Sequence, residues 1–192
     1  MAVLEDVRAK GWSLVRALSP EGARAAIDKV GRILLETRVV EGGQSGSAAV
    51  TLHTDSWRAE VVAWYCHARA EAGGDMVLVD AREALALLDP ADLRDLAAIR
   101  LGVDGAATPL VRDGPGAPAL YFVPSEIPEA RRRAACVLRF RAALATLSPI
   151  TFRLARGDLL TIDNTRMLHG RAALEGGPPR ELTRWWVVPQ AS

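Results

Sequence analysis

The chain contains three histidines, His53, His67 and His169. His53 opens the run His53-Thr54-Asp55. On an extended segment, positions i and i+2 point to the same side, so this imidazole and carboxylate can converge on one ion. Alone, the pair reads equally as a surface contact, because such spacings arise by chance. His169 lies 116 positions further on, just past an expected strand, inside the run GDLLTIDNTRMLHGR that spans 157–171. Two histidines and one carboxylate gathered on strands form the facial ligand set of a non-haem Fe(II) site, which leaves coordination positions open. His67 follows directly on the strand-like stretch 61–65 with no carboxylate motif beside it, and is expected to be structural.

The elements that must position these residues are mostly short strands. Residues 11–18 read as a first strand, and Ser19-Pro20-Glu21 then supplies a helix cap followed by proline at the first helical position. Ala23, Ala26, Ile27, Val30, Ile33 and Leu34 form one apolar face, predicting a helix from Pro20 to Leu34. Strands are expected at 37–40, 49–52, 61–65, 76–79, 99–103, 108–111, 119–123, 150–154, 158–162 and 182–188. Helices are expected over 81–98, broken at Asp89-Pro90, and over 128–147. Many short strands with few peripheral helices indicate a mainly β sandwich or partly closed barrel. No regular βα alternation or glycine-rich phosphate loop supports a doubly wound sheet.

Composition narrows the function classes. The 24 basic and 23 acidic residues give a net charge of +1, which offers no electrostatic reason for a nucleic-acid or anionic-membrane partner. Cys66 and Cys136 cannot build a disulfide framework and neither lies in a CxxC pair. No apolar stretch approaches the ~20 residues of a membrane span, and the first residues are too polar for a signal peptide. One cytoplasmic domain over residues 1–192 is expected.

Taken together, His53-Thr54-Asp55, the turn Gly73-Gly74-Asp75 with Asp80 after it, and GDLLTIDNTRMLHGR resemble the taurine dioxygenase and clavaminate synthase-like family of Fe(II)/2-oxoglutarate-dependent oxygenases. Gly11-Trp12, Cys66 and Ala70 extend the resemblance across most of the chain. The resemblance implies a double-stranded β-helix, a jelly-roll relative, with iron held by His53, Asp55 and His169. It implies 2-oxoglutarate as co-substrate with dioxygen, and oxidation of a small molecule by hydroxylation, desaturation or cyclisation. Asp55 argues against halogenation, since halogenating relatives replace this carboxylate with Gly or Ala.

Relatives also carry arginines after the distal histidine. Arg180 and Arg184 stand 11 and 15 positions past His169 and share one face of a strand. Arginine suits that place because it grips a carboxylate bidentately and stays charged when partly buried. By resemblance Arg180 takes the far carboxylate of 2-oxoglutarate, and Arg184 reaches toward the iron and the primary substrate. That would require an acidic group on the substrate, such as the carboxylate of an amino acid or biosynthetic intermediate. Gln44, Ser45 and Ser47, in the loop before the metal pair, and Trp57, just after it, are further candidate substrate contacts. The family's shortened intervals here imply an open site, or one completed by a second subunit or a carrier-protein partner. Two rival readings stand beside this one: a binding or scaffold protein on the same fold that has lost turnover, and a cupin-like metal enzyme that does not use 2-oxoglutarate. Arg180 and Arg184 oppose the second.

Met76 occupies the place where relatives usually have a threonine whose hydroxyl helps to hold 2-oxoglutarate; Thr161 is a candidate substitute. Met76→Thr should therefore lower the Michaelis constant for 2-oxoglutarate by roughly several-fold, the worth of one neutral hydrogen bond of about 1 kcal/mol. An unchanged constant in steady-state succinate assays would show that the hydroxyl is not needed.

Overall fold

The computed structural model describes residues 2–42, 47–102, 108–114 and 117–190. It begins with α1 (Ala2–Lys10), β1 (Trp12–Val15), α2 (Pro20–Val30), β2 (Gly31–Glu41), β3 (Val50–His53), β4 (Val61–Ala68) and β5 (Met76–Asp80). Helices α3 (Ala81–Ala86) and α4 (Pro90–Ala98) follow, then four two-residue strands, β6 (Arg100–Leu101), β7 (Thr108–Pro109), β8 (Val111–Arg112) and β9 (Ala119–Leu120). The chain continues through α5 (Glu129–Arg132), α6 (Ala135–Thr146), β10 (Ile150–Phe152), β11 (Leu159–Asp163), β12 (Met167–Arg171) and β13 (Arg180–Pro189).

Two antiparallel sheets carry the architecture. The larger has the order β1-β11-β4-β13-β2 and the smaller β10-β5-β12-β3. Strand alternation sorts the apolar residues into layers. Trp64, Cys66, Leu160, Ile162 and Leu182 from the large sheet meet Met76, Leu78 and Met167 from the small one. On the outer face of the large sheet, Ala63, Tyr65, Leu159, Trp185 and Val187 pack with Val7, Ala23, Ile27 and Val30 of α1 and α2. Val79 and Leu168, on the outer face of the small sheet, join Leu85, Leu96, Val137 and Phe140 beneath α3, α4 and α6. This is the expected mainly β sandwich of double-stranded β-helix type with helices outside it.

Several boundaries differ from the sequence reading. Residues Ala2–Lys10 form a helix, α1, that periodicity did not reveal. Helix α2 has the expected Ser19 cap, which accepts from the Gly22 amide at 3.0 Å, but it ends at Val30 rather than Leu34. Ile33 pairs with Val187 in β13, so ladder hydrogen bonding overrides the helical period there. The helix expected over 128–147 breaks into α5 and α6 at Arg133–Ala134. His169 lies within β12 rather than just beyond a strand, because an Asx turn, with Thr165 donating to Asp163 Oδ1 at 2.9 and 2.7 Å, starts a new strand at Met167. Thr161 faces the α1–α2 side with Leu159, away from Met76, and so cannot replace the missing hydroxyl.

Gly170 lets the metal-motif strands approach. A Cβ there would lie 2.6 Å from the Val50 carbonyl oxygen of β3. Phe140, fully buried and edge-on to Phe122 at 5.3 Å between ring centroids, anchors the helical layer. Phe140→Ala should destabilise the protein by about 3–5 kcal/mol, read as a lower urea midpoint with an unchanged denaturant slope.

Candidate metal centre

The two outer residues of the predicted ligand set are cross-strand partners: His53 ends β3 directly opposite His169 in β12. Their rings lie 4.4 Å apart between centroids. Asp55 follows two positions past β3, with Oδ1 4.0 Å from His53 Nε2 and Oδ2 4.0 Å from His169 Nε2. These separations are too long for hydrogen bonds. One ligand atom from each of the three residues lies within 4.8 Å of the others, a spacing from which a small inward shift of the side chains reaches ligand distances of about 2 Å to one ion.

The nitrogens are prepared for a cation. His53 Nδ1 lies 2.8 Å from the Thr51 carbonyl oxygen; a carbonyl can only accept, so Nδ1 carries a proton and Nε2 is the nitrogen left to face a cation. His169 is buried against the Trp64 ring at 4.8 Å. Burial, with His53 and Arg184 adding to it, pushes its pKa well below the ordinary histidine value, so His169 stays neutral.

Two clamps position the intervening turn. Thr54 and Phe122 exchange hydrogen bonds: the Thr54 amide donates to the Phe122 carbonyl at 2.8 Å, and Thr54 Oγ1 accepts from the Phe122 amide at 2.9 Å. Asn164 accepts from the Asp55 amide at 2.8 Å, and its Nδ2 donates to the Ser56 and Ala59 carbonyls at 3.2 and 2.8 Å. The carboxylate itself receives Arg184 Nη1 at 3.1 and 3.3 Å and Trp186 Nε1 at 2.9 Å.

The triad stands where two spaces meet. A cavity of about 120 Å³ is lined by His53, His169, Trp64, Met76 and Leu182, together with Arg171, Arg180, Arg184 and Glu41. Arg180 is buried; it donates to the Gly74 carbonyl and, at 3.1 Å, to the Met76 sulfur, with Glu41 Oε2 3.6 Å from its Nε. Gly74 adopts φ +72°, which turns that carbonyl toward the guanidinium. Arg171 Nε donates to Glu41 Oε1 at 3.2 Å. Three guanidiniums against one lining acid leave this cavity an excess of positive charge suited to a carboxylate-bearing ligand. The second space is a cleft of about 770 Å³ lined by His53, Asp55, Trp57, Arg58, Tyr121, Glu126 and Trp186, among others.

The structure thus gathers His53, Asp55, His169, Arg180 and Arg184, and places Trp57 on the cleft. Arg184 lines the smaller cavity and pairs with Asp55, and is not among the residues lining the cleft. Ser47 is exposed and lines neither space, while its carbonyl accepts from the Leu174 amide. Gln44 and Ser45 lie outside the described residues. His67 is structural as expected, 2.8 Å from Thr183 Oγ1. Thr54, Asn164, Trp186, Arg171 and Glu41 were not singled out from sequence. Asn164 and Arg171 stand inside the distal motif, the one signal that could have found them.

Asn164→Ala would strand the buried Asp55 amide. It should cost about 1–3 kcal/mol of stability and weaken Fe(II) binding about 10–100-fold, as loss of outer supports to metal ligands does. Thermal melts and anaerobic Fe(II) titration would check both; unaltered iron affinity would show that the clamp is dispensable.

Comparison with known proteins agrees with this geometry. Residues 107–186 match the model of the taurine catabolism dioxygenase TauD, TfdA family. No curated protein matches the chain. Among solved structures, PvcB from Pseudomonas aeruginosa is 23% identical, covering 94% of this chain and 77% of its own, with TM-score 0.70. Asparagine oxygenase, solved with Fe(II), 3-hydroxyasparagine and succinate, is 18% identical over 96% of this chain and 77% of its own, with TM-score 0.73. A putative alpha-ketoglutarate-dependent taurine dioxygenase from Burkholderia xenovorans is 17% identical over 97% and 83%, with TM-score 0.74. The chain shares the fold of these Fe/2-oxoglutarate oxygenases and, through residues 107–186, the sequence pattern of the TauD, TfdA family.

Proposed function

We propose that the chain is an Fe(II)/2-oxoglutarate-dependent dioxygenase that oxidises a small molecule of amino-acid type. The observation that carries this reading is the position of His53, Asp55 and His169 at the junction of a cationic cavity and an open cleft. A catalyst that couples two organic substrates through one metal needs that division. The asparagine oxygenase likeness supports the amino-acid class.

His53 and His169 would hold iron through their Nε2 atoms, and Asp55 through its carboxylate. Bound iron supplies the redox chemistry that links decarboxylation of 2-oxoglutarate to oxidation of the substrate. Arg180 would hold the far carboxylate of 2-oxoglutarate, with Arg171 adding positive charge to the same cavity. Trp64, Leu182, Val39 and Met76 exclude water from that side, which strengthens each charge interaction within it. Arg184 and Trp186 hold the Asp55 carboxylate aimed. The substrate would enter the cleft beside His53 and Asp55.

Anaerobic addition of Fe(II) and 2-oxoglutarate should produce the weak visible charge-transfer band of the chelate. His53→Ala, Asp55→Ala and His169→Ala should each lose most iron binding while remaining folded by circular dichroism, because the strands pair without the ion. Full iron occupancy in His169→Ala would overturn the assignment.

A further inference from the structure

Among the described residues, the cleft holds one carboxylate that the iron and 2-oxoglutarate reading does not use. Glu126 closes the short 3-10 turn Pro124–Glu126, and its Oε2 accepts from the Tyr121 hydroxyl at 2.9 Å. Tyr121 is buried, and burial first, then Glu126 itself, raises its phenol pKa above the ordinary tyrosine value, so it remains a neutral donor. Among the described residues no arginine, lysine or histidine forms an ion pair with Glu126. The wall that bears it is fixed to the metal turn, because Phe122 beside Tyr121 exchanges two hydrogen bonds with Thr54. Trp57, Tyr121 and Trp186 give the same cleft aromatic surface.

Taking the oxygenase reading as given, we propose that this cleft selects a cationic substrate, whose protonated amine or guanidinium is received by Glu126 while Tyr121 orients the carboxylate. An oriented carboxylate in an aromatic-lined cleft suits a cation, by charge-assisted hydrogen bonding and by the ring faces. An anionic substrate finds little welcome there. Arg184 is engaged by Asp55 on the other side, and the remaining guanidinium on the lining, Arg58, is exposed and stacked on Trp57 at 5.4 Å. Arg58 can take the carboxylate of a zwitterionic amino acid, which keeps the substrate within the proposed class.

The test uses the full chain with Fe(II) and 2-oxoglutarate under anaerobic conditions. L-Lysine and L-arginine are titrated against L-norleucine, L-citrulline and L-glutamate, read by tryptophan fluorescence and by perturbation of the chelate band. The cationic probes should bind at least about ten-fold more tightly than the neutral and acidic ones. Glu126→Gln, which keeps an acceptor for Tyr121, should erase that preference and leave the chelate band unchanged. Tyr121→Phe should weaken it. Equal binding of norleucine or glutamate, or a preference retained in Glu126→Gln, would overturn the proposal. Absence of the chelate band in the unaltered protein would instead count against the oxygenase reading, and the fluorescence titration would still decide the cation preference.

Discussion

Asp55 places a carboxylate between two sheets with 8% of its surface exposed. Taking such a charge out of water costs several kcal/mol unless partners replace the lost hydration. Its partners come from separated parts of the chain: Arg184 and Trp186 from β13, and Asn164, between β11 and β12, through the Asp55 amide. A bound cation would complete the set. The carboxylate therefore draws together the small-sheet histidines and the large-sheet arginine strand, and the rest of the site is arranged around that requirement.

Register delivers the other groups. In β12, Met167, His169 and Arg171 share the face turned toward the large sheet, while Leu168 packs with the outer helices. In β13, Leu182, Arg184 and Trp186 face inward, and Trp185 and Val187 face α1 and α2. A slip of one residue in either strand would send the ligand or the guanidinium to the wrong side. The apolar alternation that builds the core therefore also guards the site, since such a slip would also pull Leu168 or Trp185 out of its helix-packed layer.

Charge separates the two spaces that meet at the triad. Arg171, Arg180 and Arg184 make the smaller cavity positive despite Glu41, whereas the cleft presents Asp55 and Glu126 with the exposed Arg58. Asp55 is shared electrostatically: its negative charge is met by Arg184 from the cavity side, which leaves Glu126 as the unmatched acid of the cleft among the described residues. Such a division discourages an acidic co-substrate from settling where the primary substrate belongs, and the reverse.

The sequence by itself determined the candidate ligand set and the mainly β class. His53-Thr54-Asp55 and the distal run around His169 are local patterns, and period-two alternation makes each strand's two faces readable. The helix cap at Ser19 was readable for the same reason, since a cap is a contact between near neighbours in the chain. What only the tertiary structure decided depends on residues far apart. Ile33 fits the helical period of α2 but is claimed by Val187 across the sheet. Arg184 shares a strand face with Arg180, yet pairing with Asp55, 129 positions away, fixes which space it serves. Glu126 and Tyr121 carry no motif, and they acquire meaning only because Thr54 holds their segment against the metal turn. Spacing along the chain constrains which side of an element a residue occupies; which opposing charge or cavity it meets there is set by the packing of elements that the sequence does not list side by side.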